Sequence, residues 1–224
     1  EFFWGLPNLF AVAPGPDGAR HLLVDAANSA SGSWTWRLDA RGEPLSKNAF
    51  ETGRGSWDST VVTSSALADM DGQGAWMAAI GRGGAFNEIA LYDARTGQRR
   101  WLQPMADRIT CVATVDLDGD GTREVVAGST SAWLCAFGLD GQVRWARQMP
   151  NAILAVTPVA DGVVTQCADG CIYRLDRAGE VTAVHRPAAL APPPHSDHWT
   201  FQRAGATAFI GDRGPTLRVL RLEP

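Results

Sequence analysis

No apolar run in the chain approaches the roughly 20 residues that a membrane-spanning helix requires, so a helical span is excluded. Lysine is nearly absent: Lys47 is the only one, and the remaining cations are arginines. The net charge is −4. Reading a phosphate backbone takes a basic footprint, so general nucleic-acid binding is excluded as well. The opening Glu1-Phe2-Phe3-Trp4 lacks the basic stretch of a secretory leader, as a mature, trimmed or excised chain would.

Signatures of common chemistries are also missing. There is no G-x-S-x-G and no local Ser/His/Asp order of a hydrolase. Gly81-Arg82-Gly83-Gly84 follows a strand-like run but opens no helical pattern, so it is not a dinucleotide or phosphate loop. Ser56-Trp57-Asp58 holds a WD dipeptide without its GH partner. Cysteine is scarce, at four residues. Cys111 and Cys135 lie in apolar runs and read as buried thiols. Cys167 and Cys171 flank the turn Ala168-Asp169-Gly170. Their C-x3-C spacing is no zinc pattern, and geometry decides whether they bridge.

What is present is turn-forming and aromatic. The 224 residues include 24 Gly, 13 Pro and 9 Trp, which suits short strands better than helices. Hydrophobic residues make up 45% and charged residues 20%, enough for a buried core in one large all-β domain or two small ones.

One stretch predicts specific chemistry. In Asp116-Leu117-Asp118-Gly119-Asp120-Gly121-Thr122-Arg123-Glu124, carboxylates stand at positions 1, 3, 5 and 9, and Thr122 offers its carbonyl at position 7. Carboxylates this close repel one another unless a cation neutralises them. Hard oxygen donors on a flexible loop suit Ca2+ better than Mg2+. Gly119 and Gly121 permit the positive φ values of a tight wrap. An EF-hand needs a Glu at position 12, and position 12 here is Ala127 in a strand-like run, so that reading fails. The bland alternative is a solvated acidic turn with no ion.

The loop is one copy of a repeat. Asp69-Met70-Asp71-Gly72-Gln73-Gly74 parallels Asp116-Leu117-Asp118-Gly119-Asp120-Gly121, 47 residues later. A second signature follows each copy: Ile89 to Trp101 parallels Leu134 to Trp145, each an apolar strand, an Asp/Gly turn and a strand with Trp. The same pattern recurs at Thr35 to Gly42 and Ile172 to Gly179, and Leu217 to Leu222 is a last, truncated copy. Repeats of 40–50 residues holding about four strands each point to propeller blades.

The acidic loop resembles the calcium loop of FG-GAP/VCBS repeats, as in integrin α-subunit propellers, where ligands occupy positions 1, 3, 5, 7 and 9. The strand–turn–strand ending in Trp resembles PQQ-type (quinoprotein-like) repeats, where the Trp would wedge between blades. Together they imply an all-β fold: a β-propeller of four-stranded antiparallel blades, about five in this chain, forming a single domain over residues 1–224. The expected blades span about residues 8–45, 64–105, 109–149, 152–186 and 199–222. Residues 47–62 and 187–196 read as excursions between blades. Blade 5 lacks an outer strand. Either residues 1–6 pair with 217–222 and close the ring, or the chain is part of a seven- or eight-bladed ring completed by further blades of the parent protein or another chain.

The expected metal ligands are Asp116, Asp118, Asp120, Thr122 and Glu124. Asp69, Asp71 and Gln73 form a weaker second loop, with apolar Met77 at position 9, and read as a metal-free turn or a weak site. His195-Ser196-Asp197-His198 reads as a solvated loop rather than a metal or acid/base element. Arg82, Arg99 and Arg100 are expected to pair with Asp or Glu. Trp34, Trp36, Trp57, Trp76 and Trp133 are candidates for stacking on a sugar.

The function expected from these features is non-catalytic: a calcium-stabilised propeller outside the cytoplasm (secreted, periplasmic or at the cell surface), acting as a scaffold or binding a protein or glycan partner. Millimolar extracellular calcium suits a loop that need not bind tightly. The alternative is the propeller of an enzyme, either a rhamnogalacturonan-lyase-like polysaccharide lyase or a quinoprotein. The lyase reading would draw on Arg82, Arg108 or His198.

Overall fold

Apolar–polar alternation between Asp/Gly turns makes strands the regular elements of the described residues. The structure is a computed structural model that describes residues 5–14, 18–28, 32–50, 60–84, 86–186, 200–204, 207–211 and 217–221. Blade 1 holds β1 (Gly5–Pro14), β2 (Arg20–Asn28), β3 (Gly32–Leu38) and β4 (Pro44–Phe50). Blade 2 holds β5 (Thr60–Asp69), β6 (Trp76–Gly84), β7 (Glu88–Asp93) and β8 (Arg99–Pro104). Blade 3 holds β9 (Ile109–Val115), β10 (Glu124–Ser129), β11 (Trp133–Phe137) and β12 (Val143–Gln148). Blade 4 holds β13 (Ile153–Val159), β14 (Gly162–Cys167), β15 (Ile172–Asp176) and β16 (Val181–His185). A three-stranded sheet of β17 (Thr200–Ala204), β18 (Thr207–Gly211) and β19 (Leu217–Arg221) follows. Each sheet is an antiparallel meander in chain order, the arrangement of a propeller blade.

Three boundaries differ from the sequence expectation. Blade 1 runs on to Phe50, and blade 2 starts at Thr60. Lys47 and Asn48 read as a linker because an outer strand facing water needs no apolar alternation. Gly5 and Leu6 pair with Asn28 and Ala27 inside blade 1, not with the last strand. Among the described residues β19 pairs with β18 alone. Residues 1–4, 51–59 and 187–199 lie outside the described residues, and with them His195, His198 and Trp57.

The core is divided among the seams between blades. The second strands of blades 3 and 4 are sandwiched on both faces, and β10 and β14 are buried at every position. Their alternate residues therefore serve different neighbours. Val125 and Ala127 pack with Met70, Leu91 and Ile109 toward blade 2, while Val126 packs with Ile153 and Val163 toward blade 4. The approach is close. A Cβ at Gly81 would lie 2.5 Å from Ile109, and one at Gly128 would lie 2.5 Å from Ile153. Two equivalent glycines thus receive two equivalent isoleucines from the next blade.

The Trp wedges are present at two seams. Trp101 of β8 donates its indole N–H to the Leu139 carbonyl of blade 3 at 3.1 Å, and its ring lies 5.7 Å from Phe137. Trp145 of β12 donates in the same way to the Arg177 carbonyl of blade 4 at 3.0 Å. Two residues further on, Gln103 donates to the Gly141 carbonyl at 3.0 Å and Arg147 to the Gly179 carbonyl at 2.9 Å. Asn48 of β4 occupies the same place at the first seam and donates to the Ala94 carbonyl at 3.3 Å.

Candidate metal-binding loop

The loop between β9 and β10 leaves a strand at Val115 and rejoins the sheet at Glu124, which pairs with Val115. Gly119 at φ +81° and Gly121 at φ +88° make the reversal possible, since side chains are strained there. The wrap points the loop's N–H groups at its own carboxylates. Asp116 accepts from Gly119 at 2.7 Å and from Gly121 at 3.1 Å. Asp118 accepts from Asp120 at 3.2 Å, and Asp120 accepts from Thr122 at 2.6 Å.

These bonds gather Asp116, Asp118 and Asp120. One carboxylate oxygen from each lies within 4.8 Å of the others, with Asp116 half-buried and the other two exposed. A carboxylate has about four lone-pair sites, so one or two N–H bonds leave capacity for an ion. Each pair of such charges repels by about 1 kcal/mol in water, which a divalent cation would reverse. The donor set is all hard oxygen and fits Ca2+.

Glu124 does not join this group at that distance. It is buried, and its Oε2 accepts the Leu117 N–H at 2.8 Å. Burial pushes its carboxyl above the usual range, and the Leu117 N–H opposes that. Asp118 and Asp120 push it further up, while Arg144 pulls it down. Thr122 is half-buried, and its N–H is committed to Asp120. Beside the loop, a cavity of about 310 Å³ is lined by Leu117, Asp118, Glu124, Arg144, Arg177 and Ala178. Sequence reasoning missed its two arginines. Their only signal is proximity to Trp145 and to the turn that receives it.

The blade 2 loop has the same backbone and a different end state. Asp69 accepts the Gly74 N–H on both oxygens at 3.0 Å. Asp71 accepts from Gln73 at 2.8 Å and from Ala75 at 3.0 Å. The Ala75 and Gln73 N–H groups hold the Asp71 carboxyl below the usual carboxylate range. Gln73 is exposed, and Met77 is buried in the seam with blade 3. Blade 4 has only the turn at Asp161, whose carboxylate accepts from Arg174 at 2.8 Å.

Other candidates fall away from chemistry. Arg82 is buried and paired with Glu88 at 2.7 Å, and it donates to the Tyr92 hydroxyl at 2.7 Å. Arg100 reaches Asp93 at 3.6 Å. The four cysteines are free and buried, so Cys167 and Cys171 form no bridge. Burial pushes Cys111 and Cys167 up to about 12 and Cys135 up to about 11, which keeps them as protonated thiols. Trp36, Trp76 and Trp133 are half-buried, and Lys47 sits 4.7 Å over the Trp36 ring.

No family model and no curated protein matches the chain. Solved structures do. The chain is similar to the computationally designed Ika8 protein, with TM-score 0.65 and 17% identity over 96% of this chain and 71% of that one. It is similar to BBS1N, crystallised in complex with ARL6DN, with TM-score 0.68 and 11% identity over 96% of this chain and 66% of that one. It is similar to BamB from Moraxella catarrhalis, with TM-score 0.60 and 18% identity over 97% of this chain and 60% of that one. The chain thus spans under two thirds of BBS1N and of BamB. These neighbours are β-propellers, and the chain has their fold. At such identities the likeness speaks to fold alone.

Proposed function

We propose that the chain is a non-catalytic β-propeller that holds a structural calcium ion on blade 3 and binds a protein or glycan partner outside the cytoplasm. The observation that carries the metal is the meeting of Asp116, Asp118 and Asp120 oxygens within 4.8 Å. The ion would fix the turn between β9 and β10 and so order the strand that packs against both neighbouring blades. Millimolar calcium outside cells would fill such an exposed loop without demanding high affinity. Partner binding rests on the architecture: BBS1N, of similar fold, was crystallised bound to another protein. A lyase role would need accessible cations, and Arg82 is spent inside a buried ion pair.

Melting in calcium and in EDTA tests the metal. An ion at 100 times its Kd contributes about 2.7 kcal/mol, or a rise of about 5–10 °C for a domain of this size. Equal melting temperatures would overturn this reading. A glycan array probed in calcium separates a glycan partner from a protein one.

A further inference from the structure

The seams show what one blade needs from the next, and blade 1 offers that surface with nothing among the described residues on it. The Trp-receiving turns of blades 3 and 4 are four residues long. In each, the glycine N–H closes on the first residue, Gly141 to the Gly138 carbonyl at 2.9 Å and Gly179 to the Asp176 carbonyl at 3.0 Å. Both glycines are buried because an indole lies on them. A Cβ would sit 2.7 Å from Trp101 at Gly141 and 2.6 Å from Trp145 at Gly179. Blade 2 differs. Its turn is one residue longer, closing Gly97 on Asp93, and the strand facing it has Ser46 at the Trp place.

Blade 1 has the Trp-receiving form. Gly42 closes on the Asp39 carbonyl at 3.0 Å, and Asp39 bonds back to Glu43 at 2.9 Å, as Asp176 does to Glu180. Yet Gly42 is exposed, and nothing among the described residues lies within 4 Å of where its Cβ would be. A second observation agrees. Val12 holds the register place of Leu67, which packs on blade 1 and is 9% exposed, but Val12 is 55% exposed. A third concerns charge. Glu180 is ion-paired with Arg147, whereas Glu43 at the same place has no ion pair among the described residues.

We infer that blade 1 is the receiving half of a further seam, and that its occupant is a blade of this same repeat from outside these 224 residues, whose outer strand carries Trp-x-Arg as in Trp145-Ala146-Arg147. The indole lies on Gly42 and donates to the Ala40 carbonyl, and the arginine meets Glu43. A second copy of the chain does not supply this strand, because Trp101 and Trp145 are already used in its own seams. At the register place of these tryptophans, β16 has Ala183. The inference is independent of calcium.

The test joins a copy of residues 109–149 ahead of the full chain and follows amide exchange at Asp39 and Gly42. Trp145→Ala in the unmodified chain calibrates the readout by speeding exchange at Asp176 and Gly179. The added blade slows exchange at Asp39 and Gly42 by about tenfold. Replacing the added copy's tryptophan by alanine cancels the protection, and Glu43→Arg weakens it. Unchanged exchange, or protection that survives loss of that tryptophan, overturns the inference.

Discussion

Blades 2 and 3 carry one loop in two states, 47 residues apart. In blade 2, Asp71 takes both the Gln73 and Ala75 N–H groups, and Asp69 takes Gly74 on both oxygens. The loop satisfies itself. In blade 3, Asp120 replaces Gln73 and draws the Thr122 N–H to itself, so Asp118 keeps only one N–H partner. One added carboxylate both raises the negative charge and frees the lone pairs that an ion would use. The ninth position completes the contrast. Met77 fills the seam with blade 3, whereas Glu124 is a buried acid tied to Leu117. The two loops also touch, through the Arg123 N–H on the Met70 carbonyl at 2.8 Å. A self-satisfied turn and the turn proposed to hold an ion thus differ by a few side chains on one backbone.

The largest expected effect comes from removing the first ligand. Asp116→Ala loses the ion and two N–H acceptors, about 3–4 kcal/mol in calcium and about 1 kcal/mol in EDTA. Asp69→Ala costs about 1 kcal/mol in both, as melting curves of the pair will show. Equal losses for both variants in calcium would erase the distinction between the loops.

Next comes the seam. Trp145→Ala removes an indole from Gly179 and its hydrogen bond to Arg177, about 2–3 kcal/mol. The expected loss is the same in calcium and in EDTA by denaturant titration, because the indole bonds the Arg177 carbonyl and no carboxylate of the loop. A calcium-dependent loss would show that the loop borrows its order from the seam.

Much of this was legible in the chain itself. The spacing of Asp69 and Asp116, and of Trp101 and Trp145, marks the repeat, because a blade must restate its turns and wedges each time it is built. The receivers were not legible. Gly141 and Gly179 read as ordinary turn glycines, since their partners lie in another blade, and the same holds for Gly81 under Ile109. The end of the outer strand, Lys47 to Phe50, was hidden because Lys47 and Asn48 interrupt the apolar pattern. In the site, Asp116, Asp118 and Asp120 were visible as a spaced set, but the inward turn of Glu124 depends on the Leu117 N–H, which no side-chain pattern records.

A smaller effect sharpens the comparison from the other side. Gln73→Asp gives blade 2 the third carboxylate, and calcium then raises its stability by about 1 kcal/mol more than in the parent chain. Titration calorimetry would register a second, weaker site, and an unchanged isotherm would show that position 9 is required.

The smallest is a pH effect. Asp71 is held below its ordinary value, so its charged form stabilises the fold above about pH 4, and that stability is lost as pH falls through its folded value. Asp71→Asn removes this contribution, and the acid limb of a melting-temperature profile becomes shallower. An unaltered limb would mean that the N–H bonds of Ala75 and Gln73 persist equally well on a neutral side chain.

The central claim, that blade 3 holds an ion and blade 2 does not, is tested most directly by calorimetric titration of calcium into the metal-stripped chain. The account predicts a single saturable site per chain, abolished by Asp116→Ala and untouched by Asp69→Ala. A flat isotherm, or a site that survives Asp116→Ala, would contradict it.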